Sequence, residues 1–217
     1  METVRKGKAL KDPEKWAEYV KIMKEHDVPD WYISSCEKIK YMFPKAHAAA
    51  YVTNAFRIAW FKVHIPKAYY TAYYSIRADE FDSEWMIYGK EKVKEKMKII
   101  DDEGNAATTK DKNMYAILEL VLEMYERGIN FLPIDLYKSH SSKFIMEEEG
   151  IRPPLNSIPG LGTVAAESIK KAADEEEFEC IDDLQSRGKV GKSVIELLKK
   201  FGCLEGMTQS NQMTLFM

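Results

Sequence analysis

Cysteine is scarce in this chain, and no disulfide framework can be built from what there is. Cys36, Cys180 and Cys203 are three in number and far apart in 217 residues, whereas a stapled fold needs an even set at close spacing. The four histidines do not make good the shortage, because no Cys/His spacing of a zinc site occurs. No residue is assigned as a metal ligand. Long apolar runs are missing too: nothing approaches the roughly 18 residues that a membrane-spanning helix requires. The opening Met-Glu-Thr-Val-Arg-Lys lacks the apolar stretch of a leader peptide. The expectation is a reduced, cytoplasmic setting without membrane contact.

A one-sided charge is also lacking. The formal net charge of −3 argues against a wholly basic nucleic-acid coat. Its distribution says more: residues 1–70 hold 13 Lys/Arg against 8 Asp/Glu, and the remainder holds 19 against 27. A basic front end suits phosphates, although ordinary solvated helix faces would read the same way. At 45% hydrophobic and 31% charged the chain has material for a core. Its length allows one large domain or two small ones.

Punctuation along the chain predicts a mainly α fold with a small β element. Asp12-Pro13-Glu14 opens a helix that runs to about His26. Val28-Pro29-Asp30 breaks it, and Trp31 to Lys40 forms a second. Pro44 opens a long third helix that reaches His64 and stops before Pro66. Two amphipathic helices follow over 84–100 and 112–127, joined by the turn Asp101-Asp102-Glu103-Gly104-Asn105. Asn130 to Tyr137 and Lys143 to Glu147 read as short extended runs, closed by Gly150 to Pro154. From Ile158 the chain returns to short helices separated by glycines.

Ile158-Pro159-Gly160-Leu161-Gly162-Thr163, followed by helix-compatible Ala/Ile spacing, carries the most specific local signal. Gly160 and Gly162 permit a hairpin whose backbone N–H groups point outward at a helix start, a geometry that cradles a phosphate. Lys170 adds charge nearby. A glycine-capped helix–helix turn without a ligand is the plainer alternative. A weaker second copy lies in Gly188-Lys189-Val190-Gly191-Lys192-Ser193-Val194-Ile195, with its glycines spaced differently. The acidic stretch Asp174 to Asp183 between them reads as a solvated connector.

Upstream, Tyr41-Met42-Phe43-Pro44-Lys45-Ala46-His47-Ala48-Ala49-Ala50-Tyr51 precedes and enters the long helix. His47, Tyr51 and Asn54 share one face. Lys45 lies in the first turn, where free N–H groups favour an anion, and Phe43 offers a stacking ring. A nucleoside triphosphate suits that set; a buried core helix with a satisfied histidine is the alternative. Arg5-Lys6-Gly7-Lys8 is a short basic loop. At the other end, Gln212, Met213, Thr214, Leu215 and Phe216 form a peptide fit for an apolar pocket, the glutamine orienting it and Leu215 and Phe216 supplying buried area.

Taken in order, the basic loop, the alanine-rich motif and the glycine hairpin resemble the PolC family, the C-family polymerase III α subunit of low-GC Gram-positive bacteria. The resemblance covers essentially the whole chain, and the terminal peptide is similar to the family's clamp-binding peptide. Related DnaE-type polymerases have a Lys-Ser-His-Ala-Ala-Ala-Tyr version; Pro44 and the terminal peptide favour PolC. The resemblance implies a nucleotidyltransferase that adds deoxynucleotides to a primer end with Mg²⁺ held by palm aspartates. In that family the palm precedes the fingers, so those aspartates are expected upstream of this chain. The chain itself is then expected to bind no cofactor and to be inactive alone.

The resemblance assigns Phe43, Lys45, His47 and Tyr51 to the incoming dNTP, and Arg5, Lys6, Lys8, Gly160, Leu161, Gly162, Thr163 and Lys170 to the primer–template duplex. Gln212 to Phe216 are assigned to the β sliding clamp. It implies a partial fingers region over 1–128, a duplex-binding region with helix-hairpin-helix over 129–205, and a flexible tail with the clamp peptide over 206–217. The missing N-terminal polymerase part is an implied partner. A free-standing DNA-binding and clamp-tethering accessory protein fits the same motifs.

Overall fold

The computed structural model describes residues 2–211. It divides into two compact units, Met1–Ala59 and Trp60–Met217.

The first unit contains α1 (Glu2–Arg5), a 3-10 turn at Ala9–Lys11, α2 (Pro13–Glu25), α3 (Asp30–Lys38) and the start of α4 (Lys45–His64). Asp12 caps α2 by accepting from the Lys15 N–H at 3.2 Å, with Pro13 in the first turn where no donor is lost. Its buried core is small: Ala9, Trp16, Ile33 and Cys36. The Trp16 indole N–H reaches the Glu37 carboxylate at 2.9 Å. Helix α4 has no buried residue along its 20 positions. The core-helix reading of this apolar stretch does not hold within this chain.

The second unit continues with α5 (Pro66–Arg77), α6 (Ser83–Met86), α7 (Lys90–Glu103), α8 (Thr109–Glu126), β1 (Ile145–Met146), β2 (Ile151–Arg152), α9 (Thr163–Glu175), α10 (Ile181–Arg187) and α11 (Lys192–Lys200). The aromatic run after Pro66 is a helix, with Tyr70 and Tyr74 four apart and both buried. The helix expected over 84–100 is two helices, because Gly89 at φ +94° breaks the chain between them. A reciprocal capping box between Thr108 and Asp111 starts α8 three residues earlier than expected. The extended runs shrink to a two-stranded antiparallel ribbon pairing Ile145 with Arg152 and Met146 with Ile151. Asp135 interrupts the first run by accepting from the Tyr137 and Lys138 N–H groups, an Asx turn that the alternation of residues concealed.

Two hydrophobic cores lie within this unit. One gathers Tyr70, Tyr74, Met86, Leu118, Val121 and Phe131. The other gathers Leu155, Ile158, Leu161, Ile169, Leu184 and Leu198. A buried hydrogen bond between the Ser83 and Ser157 hydroxyls, 2.7 Å, links them. The two cores interleave along the chain: Phe131, Phe144 and Ile151 belong to the first, while Ile134 and Leu136 belong to the second. No helix among the described residues is long and apolar enough to cross a membrane.

Candidate nucleic-acid interface

The glycine hairpin sits on the second core. Gly160 adopts φ +87°, Leu161 turns inward and is 3% exposed, and Gly162 is extended as the N-cap of α9. No side chain caps that helix start, so the first-turn N–H groups of α9 are left for an external acceptor. A Cβ at Gly162 would meet open space, as a surface that receives a ligand's backbone requires. Val164 beside it is 82% exposed. The Asn156 amide steadies the rim by donating to the Thr163 hydroxyl at 3.2 Å. Lys170 lies two turns further along and is engaged internally, donating to the Tyr137 carbonyl at 2.9 Å and pairing with Asp174 at 2.5 Å.

The second hairpin repeats this backbone position for position. Lys189 stands at φ +52° where Gly160 stands, Val190 is buried where Leu161 is, and Gly191 is the extended, uncapped N-cap of α11. Gly188, which made the spacing look irregular, has a separate job. A Cβ there would crowd the Leu184 carbonyl at 2.6 Å, at the end of α10. Lys189 and Lys192 are exposed at the rim, and sequence reasoning did not single them out. The usable signal was the last glycine with a buried apolar residue before it and a helix after it.

In the first unit the expected residues form one aromatic line. Ring centroids run from Tyr41 to Phe43 at 6.3 Å, Phe43 to His47 at 4.8 Å, and His47 to Tyr51 at 4.4 Å. Phe43, Lys45, His47 and Tyr51 are all exposed. The basic loop is brought to the same place: the Met42 N–H donates to the Arg5 carbonyl at 2.9 Å, and the Arg5 guanidinium lies 5.9 Å from the Tyr41 ring. Gly7 makes that approach possible, because a Cβ there would overlap the Lys40 carbonyl. Glu2 gathers Arg5 at 2.7 Å and Lys6 at 3.2 Å, and those contacts hold its carboxyl at about 2. Within the first unit, Arg5 thus lies beside the aromatic set.

Gln212, Met213, Thr214, Leu215 and Phe216 lie outside the described residues. The chain just before them is anchored: the Ile181 and Asp182 N–H groups donate to the Thr208 and Gln209 carbonyls, and the Asn211 amide reaches Glu179 at 2.6 Å. Thr208, Gln209 and Asn211 are therefore tied to residues 179–182, where the chain enters α10. Cys36 and Cys180 are buried as free thiols, and burial pushes the Cys203 thiol up to about 12. Among the described residues no three His, Cys, Asp or Glu side chains converge as metal ligands.

A helix-hairpin-helix motif family matches residues 128–214, which takes in both hairpins. The whole chain is similar to "DNA polymerase III PolC-type" from Bacillus subtilis at 54% identity. It is similar to that of Clostridium perfringens at 52% and of Caldanaerobacter subterraneus subsp. tengcongensis at 51%. Each match runs over 216 residues and covers 100% of this chain but 15% of the relative.

Proposed function

The chain matches PolC-type DNA polymerase III over its full length and corresponds to a small part of it, and from that premise we propose that it is the C-terminal gripping part of a template-directed DNA polymerase. In this reading the two uncapped hairpins at α9 and α11 hold phosphates of the primer–template duplex. Phe43, Lys45, His47 and Tyr51 face the incoming dNTP, with the Arg5-Lys6-Gly7-Lys8 loop beside them. The terminal Gln212 to Phe216 peptide binds the sliding clamp. Bond formation belongs to the rest of the polymerase, and this cytoplasmic chain does not extend a primer alone.

The observation that carries the reading is the repeated hairpin backbone, which sets two helix N-termini with free amides on one core. Backbone amides read phosphates and not bases, so binding is sequence-independent and weakens steeply with salt. Fluorescence anisotropy with unrelated duplexes at two salt concentrations tests this. Gly162→Glu places an anion in the cradle without steric cost and should weaken every duplex at least about tenfold, roughly 1.4 kcal/mol. Unchanged affinity would reduce the hairpin to a structural turn. Removing residues 212–217 should abolish clamp binding and leave duplex affinity intact; clamp binding that persists refutes the tail assignment.

A further inference from the structure

Resting on that reading, we propose that the cleft where α4 turns into α5 is a socket through which the rest of the polymerase docks, by inserting one large apolar side chain. The cleft, about 480 Å³, is lined by His64, Ile65, Pro66, Lys67, Ile129 and Met146, together with Glu147 and Glu148. Two of its charged groups are already committed. The Lys67 ammonium donates to the Glu147 and Glu148 carbonyls at 3.1 and 2.5 Å, and the Glu147 carboxylate is paired with Arg152. The apolar part is uncovered: Ile65 is 41% and Met146 50% exposed. Phe61, 48% exposed, stands one turn before Ile65, whose N–H donates to the Phe61 carbonyl at 2.8 Å, so both rise on the same side. A concave apolar site flanked by exposed large side chains is a docking feature and not ordinary surface.

The occupant follows from length and from the lining. The chain spans 15% of its relatives, so a whole polymerase has far more protein with which to cover this surface. The apolar part of the cleft is formed by Ile65, Pro66, Ile129 and Met146. The matching face therefore offers an aromatic or branched aliphatic anchor.

The test compares the isolated chain with a full-length chimera in which it replaces the matching segment of the Bacillus subtilis relative. The chimera used is one that extends a primer. Met146→Cys and, separately, Ile65→Cys are labelled with a maleimide and read by peptide mass spectrometry. Both positions should label at least about tenfold more slowly in the chimera than in the isolated chain. Equal rates in the active chimera would overturn the socket. So would slow labelling of the isolated chain that recovers on dilution, since a second copy would then fill the cleft. Loss of the hairpin function is a separate result: Gly162→Glu moves duplex affinity and leaves the labelling rates where they were.

Discussion

Gly160 and Gly162 are two residues apart and do different work, which single substitutions can separate. Gly160 holds φ +87°, and an added Cβ would also press on the Leu197 methyl at 3.3 Å. Gly160→Ala should therefore cost about 1–3 kcal/mol in a urea titration, while Gly162→Glu, with open space around it, should leave the midpoint unchanged. Equal losses from the two would show that position 162 is structural as well. A second residue-scale effect concerns the ribbon. Arg152 is buried, bonds the Pro133 carbonyl at 2.6 Å, and is clamped by Glu147. The guanidinium beside it holds the Glu147 carboxyl below the usual carboxylate range. A carboxyl lowered in the folded state stabilises above its unfolded pKa, and that contribution is lost as pH falls through the folded one. As pH falls below about 5 and through the lowered Glu147 pKa, the parent should lose stability faster than Glu147→Gln. Parallel acid-unfolding curves would remove the pair from the account.

Among the elements, α11 teaches more than α9, because its hairpin forms without the expected glycine. Lys189 accepts a left-handed backbone conformation that costs a side chain and suits glycine. Lys189→Gly should hold or raise the thermal midpoint while weakening duplex binding and lowering its salt slope by about one counterion. A variant that binds duplex as the parent does would confine phosphate contact to α9. The same comparison shows what the sequence could and could not disclose. Helices opened by proline, such as α2 with its Asp12 cap and α4 behind Pro44, were legible because a local rule sets them. The break at Gly89, the Asx turn at Asp135 and the equivalence of Gly191 with Gly162 were not, since each depends on φ or on a side chain folding back onto its own backbone. Of the ring series from Tyr41 to Tyr51, His47 and Tyr51 were legible by helical spacing. The arrival of Arg5 beside it rests on a contact 36 residues apart, which no local pattern encodes.

At the scale of the whole molecule, the two units differ in how much they bury. The first has four buried apolar residues around Trp16, and the second has two cores of fifteen each. Conformational entropy is lost at every ordered residue, so a unit with little burial opens at lower free energy. Amides in α2 and α3 should exchange at least about tenfold faster than those in the middle of α8 and α9. Helix α4 is the extreme case. Its 20 residues are apolar in large part and none is buried. Its last turn is tied down through Lys62, which pairs with Glu123 at 2.7 Å and accepts from Arg127 at its carbonyl. A helix that buries so little is marginal in water. Limited chymotrypsin digestion should cut first among Tyr51, Phe56, Trp60 and Phe61, all about half exposed or more, and release a resistant piece beginning near the start of the second unit. First cuts inside α8 or α9, or α2 and α3 protected as well as α8, would mean that the small core around Trp16 holds more tightly than its burial allows.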